Sequence, residues 1–291
     1  MTLLPTMERL TTTKLNLTSN LCEVCKGKGI KQRTMIFQDE EVCPKCYLQK
    51  DHDRLYAECN AYYKGEEERK RKAFFHNHSL ISDPTIMNAT FDSFIPECDE
   101  EINNKDQAKT HAHNFINKMK YTLVASGDVG RGKSHLMHAI AEEINESGLQ
   151  TVLFVSEGIL FKKLKATFKK DSERSEDDYI QKIIDADVVI FDDFGSTLGD
   201  YRDINLKALE FHNQKGQGNI ADLQRATKYM NDTYMTIFDG RQGKANGIAT
   251  NLVGAAITYC YDQRITSRIL GCKSAMTFKN TPDRRRKELP F

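Results

Sequence analysis

Two sets of residues in this chain have the types and the spacing to do chemistry. The first is Gly127-Asp128-Val129-Gly130-Arg131-Gly132-Lys133-Ser134, which fits G-x-x-x-x-G-K-[ST]. Glycines there remove side chains, so that backbone N–H groups can wrap phosphates while the following helix N-terminus adds positive potential. Gly127 through His135 are the expected phosphate cradle. Lys133 reaches the β- and γ-phosphates, and the Ser134 hydroxyl ligands Mg²⁺. An acid must complete such a site, and Asp187–Gly195, DVVIFDDFG, supplies it at the end of an apolar strand. Asp192 is expected to hold Mg²⁺ through water, and Asp193 to orient or deprotonate the attacking water. Gly247–Asn251, GIATN, is a third apolar stretch with a polar end. Asn251 there senses the γ-phosphate or positions water, or the Thr-Asn pair simply caps the next helix.

The second set is Cys22-x-x-Cys25, seventeen residues, then Cys43-x-x-Cys46. Each pair can aim two sulfurs at one tetrahedral ion, so the spacing predicts a closed, structural Zn²⁺ site. A redox dithiol needs only one such pair. Gly27 and Gly29 would let the backbone turn so that amides face the thiolates, and Pro44 would stiffen the second turn. Cys98, Cys260 and Cys272 read as isolated packed or surface thiols. Cys59 is close enough in sequence to be a replacement ligand.

These residues need elements to hold them. Tyr121–Ser126 reads as a buried strand feeding the glycine loop. Leu136, Met137, Ile140 and Ile144 share one helix face, and Gly148 is its stop. From about Asn88 strands and helices alternate, which predicts an α/β domain, a parallel sheet flanked by helices. Before it, residues 21–46 read as a zinc ribbon. Tyr47 to about His76 reads as a proline-free helix with Leu48, Leu55, Tyr56, Tyr62 and Tyr63 in a loose apolar stripe. Turn formers in NHSLISDPTIMNAT mark a boundary. The expected division is therefore a zinc-binding and helical domain over 1–80, a linker over 81–90 and an ATPase domain over 91–291.

Lys plus Arg is 42 and Asp plus Glu is 41, for a net charge of +1, so the chain is neither histone-like nor a strongly acidic solvating chain. Any nucleic-acid contact must come from local clusters. FKKLKATFKK, residues 161–170, carries five lysines and two phenylalanines, whereas 171–200 carries ten acids against two bases. Lysines neutralise phosphates and aromatics stack on bases, so Lys162, Lys163 and Lys165 are the candidate contacts for single-stranded DNA. The competing reading puts Leu160, Leu164 and Phe168 in a core with the lysines merely outside. No apolar run approaches the ~18 residues of a membrane span, and the first residues show no secretory pattern. The reading is cytoplasmic, with no membrane partner.

In order, GDVGRGKSHL, VVIFDDFG, GIATN and YDQRITSRIL resemble the DnaC/DnaI replicative helicase loaders, AAA+ ATPases of the IstB/DnaC group related to DnaA. NATFDSF, Asn88–Phe94, resembles the segment that opens their ATPase domain, and the zinc-type N-terminal part resembles that of the DnaI branch. The resemblance covers about Asn88 to Lys287. It implies an AAA+ P-loop fold, ATP/ADP and Mg²⁺ as cofactors, a hexameric replicative helicase as partner and ATP-dependent self-association, for a protein of cellular or phage origin. It further implies sensor 1 at Asn251, an arginine finger at Arg268 assisted by Arg264, and sensor 2 within Arg284, Arg285 and Arg286, with Arg285 favoured. Asp193 stands where most AAA+ motors have Glu, which implies slow, switch-like hydrolysis. The 196–224 stretch is longer than expected for the family. Two other readings stand beside the loader. One is an IstB-like transposition ATPase that binds duplex DNA and a transposase. The other is a nucleotide-gated adaptor or inhibitor that binds a helicase without loading it.

Overall fold

The computed structural model describes residues 16–169, 174–198, 209, 213–214, 224–271 and 274–284. The chain divides into two compact units, Met1–Glu67 and Glu68–Phe291.

In the first unit β1 (Leu17–Leu21), β2 (Arg33–Phe37) and β3 (Glu40–Val42) form a small antiparallel sheet in the order β1-β2-β3. Gln38 and Asp39 both have positive φ between the paired Phe37 and Glu40. That is the primed two-residue turn whose twist matches the strands it joins. A short helix, α1 (Glu23–Gly27), follows β1, and the long helix α2 (Pro44–His78) follows β3. Pro44 opens α2, where its missing N–H costs nothing. The expected helix is thus present, and its stripe is bare: Leu48, Leu55, Tyr56, Tyr62 and Tyr63 are each at least half exposed.

The second unit carries five parallel strands: β4 (Thr122–Gly127), β5 (Val152–Ser156), β6 (Val188–Phe194), β7 (Ala245–Thr250) and β8 (Ser274–Phe278), in the order β5-β6-β7-β4-β8. Side chains alternate between faces, so β4 to β7 each serve two cores, while β8 serves one. Val188 and Ile190 of β6 pack with α3 (Asp99–Ile116) and α4 (Lys133–Ser147). Val189 and Phe191 face the other way, into a core shared with α5 (Glu157–Ala166), α6 (Glu176–Asp185), α7 (Lys228–Gly240), α8 (Gly254–Cys260) and α9 (Gln263–Leu270). Burial on both faces explains why these strands read as continuous apolar runs.

The 81–90 segment is not a linker. Leu80 bridges Val155 in parallel, with Leu80 N–H donating to the Phe154 carbonyl at 2.8 Å and Ser156 N–H to the Leu80 carbonyl at 2.7 Å. Backbone groups on the outer edge of β5 need partners, and this stretch supplies them. Ile86 and Ala89 are buried in the α3–α4 core. The division between the units falls inside α2 instead.

Arg241 is the largest fully buried side chain among the described residues. It donates to the carbonyls of Ile183 (2.7 Å), Ala186 (2.8 Å) and Ala245 (2.6 Å) and to Asn246 Oδ1 (2.6 Å). It so caps the end of α6 and ties it to the start of β7. Burial pulls its guanidinium down to about 9. An Arg241→Met change strands four buried acceptors. It should cost about 3–5 kcal/mol, read as a melting point lower by about 10 °C.

Candidate functional site

The glycine loop connects β4 to α4, as its motif requires. Gly127, Gly130 and Gly132 take φ of 152°, 81° and 86°. A Cβ on Gly130 would meet Asp283 Oδ1 at 2.0 Å, and one on Gly127 the Phe278 carbonyl oxygen at 2.3 Å. Close packing as well as the left-handed backbone therefore excludes a side chain at either position. Lys133 is buried, and its Nζ donates to the Asp128 carbonyl at 2.6 Å across the loop. Arg131 pairs with Asp128 at 3.4 Å.

β6 brings the acids to the same mouth. Ser134 Oγ donates to Asp192 Oδ1 at 2.8 Å across 58 residues of sequence. Asp192 is 2% exposed. Burial, and then the adjacent Asp193, push its carboxyl up to about 7 against the Ser134 bond. A hydroxyl and a buried carboxylate at hydrogen-bond distance are a hard-oxygen pair suited to Mg²⁺, whose charge would reverse that shift. Asp193 has φ +52°, and the β6–β7 register shifts between Phe191 and Phe194, so it turns out of the strand toward the cleft.

The cleft has a volume of 400 Å³. Val129–His135, Asp192, Asp193 and Asn251 all line it. His135 also bonds Ser93 Oγ at 3.0 Å and packs edge-on against Phe94. Residues that the sequence reading did not foresee stand here too. Ser82, Asp83, Thr85 and Ile86 form one wall, held by a 3₁₀ turn that the Asp83 carboxylate caps at Thr85 N (2.9 Å). D-P-T was read as a boundary signal. It equally encodes a capped turn, and only the pairing of Leu80 with β5 brings that turn to the loop.

Among the described residues, Arg284 is the arginine of the triplet that lines the cleft. Its guanidinium is held by the fully buried Glu101 (Nε to Oε1, 2.9 Å) and lies 4.1 Å over the Phe94 ring. Arg285, the favoured one, and Arg286 lie outside the described residues, as does Cys272. So does most of the 196–224 segment, of which Leu209 is buried in the core.

Arg268 stands on α9 outside this chain's own cleft. It pairs with Asp239 and donates to the Arg264 carbonyl at 3.2 Å. Behind the acids, Glu157 is 1% exposed and opens α5. It accepts from Gly195 N (2.9 Å), Thr197 Oγ1 (2.8 Å), Tyr234 OH (2.7 Å) and Tyr261 OH (3.1 Å). One carboxylate thus ties the turn after Asp193 to α5 and to the corner before α9. Nothing in the local sequence around Glu157 signalled this, because its four donors come from distant segments.

On α5 the apolar face is turned inward and the lysine run outward. Leu160, Phe161 and Leu164 are core, while Lys162, Lys163 and Lys165 are exposed. Phe168, expected in that core, is 63% exposed, with its ring 5.7 Å from Tyr229.

In the first unit the ligand atoms of Cys22, Cys25, Cys43 and Cys46 all lie within 4.8 Å of one another. Closest sulfur separations are 3.6–3.7 Å. A tetrahedron with Zn–S near 2.3 Å demands roughly 3.8 Å, so the four thiols fit Zn²⁺. Gly29, at φ +74°, makes the turn after Cys25, whereas Gly27 is simply the last residue of α1. Burial raises the Cys43 thiol, but the Cys46 backbone N–H and the neighbouring thiols outweigh it and bring it down to about 7. Cys59 sits thirteen positions up α2 from Cys46, about 20 Å along the helix, and is not part of the cluster.

Residues 87–207 match the family profile of the bacterial DnaA ATPase domain. The Escherichia coli (strain K12) replicative helicase loader DnaC is 27% identical over 112 residues, 38% of this chain and 44% of that protein. The loader from Buchnera aphidicola subsp. Baizongia pistaciae is 29% identical over 109 residues, with the same coverage. The chain thus spans under half the length of these curated relatives. A crystal structure of the DnaC helicase loader superposes with a TM-score of 0.51 at 17% identity, covering 68% of this chain and 100% of the other. The strand order, the loop and these matches make the larger unit an AAA+ P-loop domain, and the chain is similar to the DnaC-type loaders. Among the described residues no helix is long and apolar enough to cross a membrane.

Proposed function

We propose that this chain, an AAA+ protein similar to the DnaC-type loaders, is an ATP-dependent loader. It grips a replicative helicase and delivers it onto single-stranded DNA. The observation that carries the reading is the convergence of Lys133, Ser134, Asp192, Asp193, Asn251 and Arg284 on one 400 Å³ cleft. Such a constellation suits a nucleoside triphosphate.

The N–H groups of the loop hold the phosphates, and Lys133 moves from the Asp128 carbonyl to the β- and γ-oxygens. Ser134 and Asp192 would hold Mg²⁺, which when bound neutralises developing charge on those oxygens. Asp193 accepts a proton from the attacking water, and Asn251 orients that water against the γ-phosphate. Arg284, kept in place by Glu101, faces the phosphates from beside the loop, its backbone N–H on the Gly130 carbonyl. The shorter reach of Asp193 makes hydrolysis slow, as a timing switch needs. Arg268 leaves Asp239 to complete the cleft of a neighbouring copy. Zn²⁺ on the four cysteines fixes the first unit, and the bare stripe of α2 offers leucine and tyrosine faces to the helicase. Lys162, Lys163 and Lys165 contact the strand backbone.

The test is light scattering after size exclusion of this protein with its host's replicative helicase, with and without ATP–Mg²⁺. It is repeated with residues 1–67 deleted, since 68–90 belong to the ATPase unit. A complex that needs residues 1–67 supports the loader. No complex under any nucleotide condition sinks it and turns the search to duplex DNA and a transposase.

The finger makes its own prediction. Arg268→Ala should lower ATP turnover by about 10³-fold while leaving ATP affinity unchanged. Mixing it with Lys133→Ala protein should restore part of the rate, because each variant supplies what the other lacks. No rescue in the mixture would show that Arg268 does not act in trans.

A further inference from the structure

We propose that a pocket on the β5 edge of the larger unit is an oxyanion site that takes a phosphate group between α2, α5 and α6. The pocket has a volume of 290 Å³, ample for a phosphate with its ester oxygens. Asn77 and His78 line it from the end of α2 with Ser79 just beyond, Lys163 from α5, Arg174 from just before α6 and Lys182 from α6 itself. No carboxylate is among its described lining residues.

Three further observations point to an anion. His78 Nδ1 is buried and has no hydrogen-bond partner among the described residues. Neither Lys163 nor Lys182 forms an ion pair with a described residue. Asp178, which feels both Arg174 and Lys182, is engaged with Ser175 in the capping box that opens α6. Lys163 and Lys182 thus bring positive charge to a lining without a described carboxylate, Asp178 standing outside that lining. The effect of that charge is visible on His78, whose imidazole is held below its usual range by burial and then by Lys182 and Arg174. Like charges brought together around a half-enclosed space repel, and a phosphate there relieves the repulsion while accepting from His78, Ser79 and Asn77.

Two sources present this chemistry: the backbone of a nucleic-acid strand and a free phosphate-bearing molecule. The first deepens the strand contact proposed above, since Lys163 belongs to both surfaces. It rests on that reading, whereas the pocket itself does not.

The experiment uses the full-length chain with Lys133→Ala, so that the glycine loop does not compete for anions. The imidazole resonance of His78, assigned with His78→Gln, is followed during titration with inorganic phosphate and with oligothymidylate. Expected is a saturable shift that Lys182→Gln abolishes. In parallel, Lys182→Gln in the otherwise native chain should weaken oligothymidylate binding by about three- to tenfold. The salt slope should fall by about one, with ATP binding unchanged. A shift with both probes plus the affinity loss assigns a strand phosphate. A shift with inorganic phosphate alone, strand affinity being unchanged, assigns a free phosphate-bearing ligand. No His78 response to either probe overturns the pocket. Should the native chain bind no strand at all, the strand reading falls, and the phosphate titration still decides the pocket.

Discussion

Lys133→Ala is expected to lose ATP binding by about 10–10²-fold, the worth of one charge-assisted contact to phosphate in a buried setting. Turnover should drop below detection. Lys133 is 6% exposed and at rest donates across its own loop to the Asp128 carbonyl. Alanine suits the first turn of the helix that Lys133 opens, so the variant should fold, which the melting point of nucleotide-free protein checks. The decisive measurement is the binding of a fluorescent ATP analogue beside helicase binding. A loader keeps the helicase complex through residues 1–67 but no longer releases the helicase onto DNA. If the variant delivers helicase as well as native protein, nucleotide has no part in the delivery. The chain is then an adaptor.

Cys22→Ser with Cys25→Ser should have the largest structural effect. The first unit is a three-stranded sheet, one short helix and the start of a long one. Among its described residues the one apolar cluster consists of Cys22, Cys25 and Cys43 with Ile30 and Cys46 against them. So small a core cannot offset the chain entropy of folding. Zinc binding is worth about 10–16 kcal/mol in comparable small sites, which would make a bound ion the main source of stability here. The double variant should lose one equivalent of zinc by elemental analysis, its amides before α2 should exchange freely, and helicase binding should vanish. ATP binding by the Glu68–Phe291 unit should stay unchanged. Native protein purified without chelator and found free of zinc would refute the site. A chelator titration of native protein should reproduce the variant, and added zinc should reverse it.

The four cysteines and the glycine loop were legible because their chemistry is local. A C-x-x-C turn or a glycine cradle imposes its own spacing, and each carries its residue types within ten positions. The acid strand was legible for a related reason, since burial on both faces leaves an apolar run whose only polar members stand at its end. Less visible was the wall formed by Ser82, Asp83, Thr85 and Ile86. Proline and polar residues look alike in a linker and in a capped 3₁₀ turn, and the difference lies in whether a sheet edge is waiting. The choice among Arg284, Arg285 and Arg286 was equally closed to pattern reading. The buried Glu101 and the Phe94 ring hold Arg284 at the cleft, and they come from α3 and from the segment before it.

By itself, the sequence determined which chemistries this chain can host: a phosphate cradle with its paired acids, a four-thiolate metal site, and a parallel sheet to carry the first. It did so because glycine, cysteine and buried apolar runs act over one or two turns of chain. Only the tertiary structure decided which residues close the cleft and how its parts are tied together. The Ser134–Asp192 bond spans 58 residues and the Arg284–Glu101 pair 183. The four donors on Glu157 lie up to 104 residues away. Contacts of that separation depend on which strands become neighbours. Strand order follows from how two faces of one sheet are covered at once, and no local pattern records it.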